Sequence, residues 1–168
     1  MSIRKLTLIA LLSSLSIVLR YAFGPFPNIK PITAIFLVVC LQIGLVESIL
    51  VSSLTMLLTG FLMGFGPWIF WQMGTYAFVL LVWKYLIAPV SAFFGEKWSL
   101  WIQTVCAGLM GMLYGFVISI FSAVFYGSVF WPYWLNGLSY DALHALSTAL
   151  FYPIILSIFR RLYHEKIH

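Results

Sequence analysis

The chain has 168 residues, 63% hydrophobic and only 8% charged, with a formal net charge of +5 and a mean hydropathy of +1.06. Soluble domains carry about 25% charged residues, so this chain lacks the polar surface that water requires and its solvent is lipid. At about 20 apolar residues per crossing, the length allows six spanning helices and excludes a soluble catalytic domain. The basic residues sit at the ends of apolar runs, where they anchor to headgroups, and form no patch suited to nucleic acid.

A first helix is predicted over 5–22. Arg4 and Lys5 before an apolar stretch imitate a signal peptide, but no small-residue cleavage site follows, and Arg20 and Tyr21 close the run. It reads as a retained helix. Residues 24–31 cannot be helical, because Pro25, Pro27 and Pro31 remove donors and bias their preceding residues to extended conformations. A second helix over 32–44 and a third over 47–63 form an antiparallel hairpin, with Glu47 as a favourable charge at a helix N-terminus. Gly64 and Gly66-Pro67 break the chain again. A fourth helix over 68–87 is ended by Pro89, and Gly95-Glu96-Lys97 makes a polar turn. A fifth helix covers 98–126, an aromatic loop with Pro132 covers 127–137, and a sixth helix covers 138–163. Cys40 and Cys106 lie inside apolar runs and read as small buried hydrophobes. No internal repeat is visible, which argues against an inverted-repeat transporter.

Six crossings put both termini on one side, together with Arg4, Lys5, Lys84, Lys97, Arg160, Arg161 and Lys166, against Arg20 and Lys30 on the other. The positive-inside rule then places the termini in the cytoplasm and three aromatic loops outside. The fold class expected is therefore an all-α membrane protein, one domain over 1–168, with six transmembrane helices.

Three outer loops carry the candidate binding residues. In the first, the prolines pre-fold the chain, so little entropy is lost on closing over a ligand. Asn28 offers a donor and an acceptor, Lys30 a charge, and Thr33 lies just inside the next helix; a rigid turn with an interfacial lysine is the structural alternative. In the second, Trp68 and Trp71 suit an interfacial aromatic belt. Gln72, however, finds no partner in lipid and must face the bundle or a wet cavity. Trp68 and Gln72 share a helix face, which Tyr76 continues one turn deeper. The third offers Tyr126, Trp131, Tyr133, Trp134 and Asn136, stacking surfaces for a large, flat ligand or again a belt. Tyr140 is a further candidate beside them. Asp141 and His144, three apart near the outer end of the sixth helix, form an ionisable pair whose default reading is functional; the alternative is a structural tie to a neighbour through Arg20. Ala10 and Ser14 make a small-xxx-small pattern for close helix packing, internal or with another subunit. No hydrolase elbow, zinc-binding helix or phosphate loop is present, so the chain alone cannot hydrolyse ATP, and any uphill transport would draw its energy from an ion gradient or a partner. Neither a metal site nor a cofactor of its own is expected.

Two stretches, Pro-Asn-Ile-Lys-Pro-Ile-Thr-Ala-Ile over 27–35 and Gly-Pro-Trp-Ile-Phe-Trp-Gln-Met over 66–73, resemble patterns in substrate-binding S-components of energy-coupling factor (ECF) vitamin transporters, in a subgroup that includes cobalamin-type members. The resemblance implies a bacterial plasma-membrane subunit that binds its vitamin at the outer loops. It would join a transmembrane coupling subunit and two ATPase subunits, then topple to release substrate inside. Family members carry Ala-x-x-x-Ala on the first helix against the coupling subunit; here Ala10 and Ser14 occupy that pattern. The ligand implied is cobalamin or a related corrinoid, with a smaller one (a queuosine-type deazapurine or pantothenate) as the alternative. Outside this class stand a membrane enzyme using Asp141, His144 and Ser147, although Ser147 lies off the Asp141 face, and a scaffold subunit.

Overall fold

The structure, a computed structural model, describes residues 2–164; Lys166 lies outside them. Among the described residues there are six helical rods: α1 (Ile3–Ala22), α2 (Ile32–Gln42), α3 (Leu45–Met63), α4 (Trp68–Phe93), α5 (Gly95–Phe125) and α6 (Phe130–His164). Five of them are long and apolar enough to cross a membrane. The exception is α2: its 11 residues rise about 16 Å, against a hydrocarbon core of about 30 Å.

The short helix is the centre of the protein. Nine consecutive residues, Ile32 to Cys40, are buried, as expected of a helix that is hydrophobic all round. It packs chiefly between α3 and α6, with α1, α4 and α5 touching it less. Its lower end is joined to α3 by the tight turn anticipated from sequence. There Glu47, in the first turn of α3, pairs with Lys5 of α1 at 2.5 Å and ties three helices together.

Two sequence expectations are corrected. Pro89 does not end the fourth helix; α4 continues to Phe93 through a π-helical turn at Trp83–Ile87. The wider turn shifts hydrogen bonding to the i→i−5 pattern, as the Ala88 N–H to Trp83 carbonyl bond demonstrates, and so makes room for the ring of Pro89, which has no N–H to offer. The 127–137 segment is not an open loop either. After Gly127 the chain re-enters a helix at Phe130, and Pro132 sits in its first turn, where no N–H is needed. Most of the third aromatic cluster therefore rides on α6.

α5 and α6 form the closest pair in the bundle. Gly108, Gly111 and Gly115 line the seam: a Cβ at Gly108 would stand 3.2 Å from the Ala145 carbonyl oxygen, and one at Gly111 3.0 Å from the Ala145 Cα. Small residues allow such close approach where lipid supplies no hydrophobic drive. By contrast, Ala10 and Ser14 are both exposed on the outer face of α1. Their small-residue pattern is not used for packing within the described residues.

Gly111→Leu is expected to force α5 and α6 apart at a cost of about 1–3 kcal/mol, lowering the unfolding midpoint in detergent by several degrees. Gly74→Leu, with open space around its Cβ position, is the control and should leave the midpoint unchanged or higher.

Candidate binding site

The second half of the proline-bearing segment between α1 and α2 lies against one face of α6, where two residues pair its backbone and a third receives the Asn28 side chain. Asn28, held at φ +55°, a left-handed conformation that asparagine tolerates better than most residues, donates its side-chain amide to the Tyr140 carbonyl at 2.8 Å. Its own carbonyl meets His144 Nδ1 at 3.2 Å. Ser147 holds Lys30 twice, accepting from its N–H at 2.9 Å and donating to its carbonyl at 3.0 Å. Irregular backbone survives at membrane depth only when protein satisfies it in this way.

The His144 tautomer follows from these partners. A carbonyl can only accept, so Nδ1 carries the proton; in the neutral ring Nε2 is then an acceptor. The Thr33 hydroxyl, 2.9 Å from Nε2, donates to it, and accepts in turn from the Tyr76 hydroxyl at 2.9 Å. Phe36 packs edge-on against Tyr76 at 5.0 Å, and the Tyr114 ring lies 4.4 Å from Tyr76 and 5.5 Å from His144. This buried chain joins α2, α4 and α6.

Above it lies a cavity of about 220 Å³, walled by Asn28, Lys30, Gln72, Tyr76, Asp141 and His144, together with Arg20, Ile32, Met56, Tyr114, Gly115 and Ile118. Arg20 donates to Thr59 Oγ1 at 2.8 Å and to Gln72 Oε1 at 3.2 Å, and also contacts Met56 Sδ. It makes no bond to Asp141, so the tie between them allowed by the sequence is replaced by one to α3 and α4. Asp141 is instead held by Trp134 Nε1, which donates to Oδ2 at 3.1 Å. The carboxylate occupies the space above Gly115, where any Cβ would collide with it.

The remaining sequence candidates surround this cavity without lining it. Thr33 lies beneath the cavity, one bond below the lining residues Tyr76 and His144. Trp71 stacks on Phe121 at 6.4 Å and meets Phe125 edge-on at 4.9 Å, closing the α4–α5 gap. Trp134 stacks with Phe130, and Tyr133 with Tyr126. Trp68 folds back over Gly66 and is exposed, as are Trp131, Asn136 and Tyr140; the last contributes its carbonyl alone. Arg20, Met56, Tyr114, Gly115 and Ile118 were not singled out from sequence as binding residues. For Arg20 a signal existed: a cation at the outer end of an apolar helix, with no acid near it in sequence. Ser147 is committed through its hydroxyl to both sides of the Lys30 peptide, and its geometry is that of a staple rather than a nucleophile.

Ser147→Ala is expected to leave the Lys30 backbone unpaired. Hydrogen exchange at the amides of residues 28–30 should speed up by about tenfold or more, since each lost bond is worth about 0.5–1.5 kcal/mol, while exchange in α3 stays unchanged.

Comparison with known proteins is decisive at the level of family. A search of curated proteins and one of solved structures each returned no match. The sequence model described as "ECF transporter, substrate-specific component" matches residues 4–159, which spans all six helices and every wall of the cavity. The chain thus belongs to the family of substrate-specific components of ECF transporters, multi-pass membrane subunits that bind a transported substrate.

Proposed function

We propose that this protein captures a small vitamin-like molecule outside the bacterial plasma membrane, in the cavity beneath the 25–31 segment, and delivers it to a coupling subunit with two ATPases. The observation that carries this reading is the cavity itself: in a protein of this family, polar side chains from α1, α4, α5, α6 and the proline segment converge on one cavity. A scaffold subunit has no need of such convergence. Six traverses with both termini inside agree with the charge distribution, α2 and the segment before it together making the second.

Size favours the smaller class of ligand over a corrinoid. Sites for drug-sized molecules hold about 300–1,000 Å³, and 220 Å³ lies below that range. A corrinoid with its nucleotide tail is several times larger and would have to displace the proline segment from α6. A molecule of deazapurine or pantothenate size needs far less adjustment.

The outward face of α1 is the best docking surface for the coupling subunit. Ala10 and Ser14 are exposed there, and the Ser14 hydroxyl is turned back onto the Ala10 carbonyl at 2.8 Å, leaving a smooth, small-residue strip for close helix approach. The protein would spend no ATP itself; its partners would.

Co-expression with coupling and ATPase subunits should yield a stable complex that imports ligand into proteoliposomes only when ATP is present on the ATPase side. Ala10→Leu combined with Ser14→Leu should abolish complex formation and leave ligand binding by the isolated subunit within about twofold. A complex that survives both bulky substitutions would remove α1 from the interface.

A further inference from the structure

A count of donors and acceptors around the cavity is strongly unbalanced. An arginine offers five N–H donors and no acceptor. Three of those of Arg20 are used, on Met56, Thr59 and Gln72, which leaves two. Thr59 can serve only as an acceptor here, because its own hydrogen is directed to helix carbonyls of α3. Gln72 accepts from Arg20 through Oε1, which fixes the amide and leaves its NH₂ group as a donor. The Lys30 ammonium brings three more donors and makes no side-chain bond among the described residues. The one carboxylate among the cavity walls, Asp141, belongs to α6 and is already engaged by Trp134. Among the described residues the single ion pair is Lys5–Glu47, at the far end of the bundle, so neither Arg20 nor Lys30 is neutralised by the protein.

Two cations and an amide donor facing one small space, with no acceptor of their own, are poorly matched to water alone and costly to leave unpaired out of bulk solvent. Resting on the reading that this cavity is the capture site, we infer that its ligand bears an anionic oxygen group, a carboxylate or a phosphate, bound between Arg20, Lys30 and the Gln72 amide. Charge-assisted bonds of this kind are the strongest the cavity can make. An anion there also offsets the mutual repulsion of the two cations. Tyr114 and Ile118 receive the body of the molecule, and the second oxygen of Asp141 is available to an N–H at its opposite end. The ligand class is a small organic anion with a donor remote from its charge. Neutral nucleobases and cationic amines are disfavoured by the same count.

The test uses the purified full chain in lipid nanodiscs and three defined mixtures: heteroaromatic and aliphatic carboxylates with a matched set of phosphate esters, the corresponding neutral amides and alcohols, and the corresponding amines. Thermal stability is read by tryptophan fluorescence. Only the anionic mixture is expected to stabilise the protein, and splitting it into carboxylate and phosphate arms names the group. Lys30→Gln, which removes no hydrogen bond made by the fold, should weaken the active anion by about tenfold or more, as loss of one partner of a buried charge pair does. Arg20→Lys keeps a charge but loses the fork, and should weaken it as well. Stabilisation by the neutral or cationic mixture, by none of the three, or by an anion whose affinity ignores Lys30→Gln overturns the inference. Association with the coupling and ATPase subunits is measured in parallel: a complex that forms while only a neutral compound binds defeats the anion and spares the transporter role, whereas failure to form a complex bears on the role alone.

Discussion

Everything at the outer end of this protein depends on one requirement, that backbone leaving a helix inside a bilayer must find its hydrogen bonds within the chain. The segment between α1 and α2 meets that requirement by lying along α6, where Tyr140, His144 and Ser147 hold Asn28 and Lys30. Three prolines reduce the number of N–H groups that need partners and limit the shapes the segment can take. The result is a non-helical wall that is nevertheless hydrogen-bonded to the bundle and polar on one side. A cavity can exist beneath it because the wall is held from the side and not from below.

The α5–α6 seam complements this arrangement. Glycines at 108, 111 and 115 bring the two helices so close that Asp141 projects across the space a side chain on α5 would have filled. The same approach sets the height of His144 relative to Thr33 and Tyr76. Helix packing and site chemistry are therefore one construction. At the opposite end, the Lys5–Glu47 pair holds α1 to the α2–α3 turn, keeping Arg20, at the far end of α1, within reach of α3 and α4.

How much of this the sequence disclosed depended on the range of the interaction concerned. Helix boundaries came from local chemistry and were mostly legible: the proline segment, the short turn before Glu47 and the break at Gly64 all stand where expected. Gln72 was also legible, since an amide among apolar residues must face something polar. Pro89 misled because a π turn can absorb a proline, and nothing nearby announces one. The 127–137 segment misled because aromatic density suggests a loop, yet proline in a first turn is compatible with a helix. Ser147, Tyr114 and Gly115 were illegible for a different reason. Each matters through a neighbour on another helix, and a lone serine, tyrosine or glycine in an apolar run has no pattern that names its partner. The tryptophans illustrate the limit of composition: Trp134 turns inward to Asp141 while Trp131, three residues earlier, is exposed.

The brevity of α2 has a consequence for how the protein is made. Eleven residues are too few to be held across a bilayer on their own, so during synthesis this segment cannot be retained by hydrophobicity in the way its neighbours are. Its lasting partners include α6, and the bonds that fix the turn before it join residues 117 positions apart. The centre of the bundle is thus completed only when α6 enters beside a segment made long before. Until then the early helices must keep a place open for it, sheltered by each other or by the insertion machinery. Truncation near the C-terminus would strike at the middle of the molecule and not at its edge.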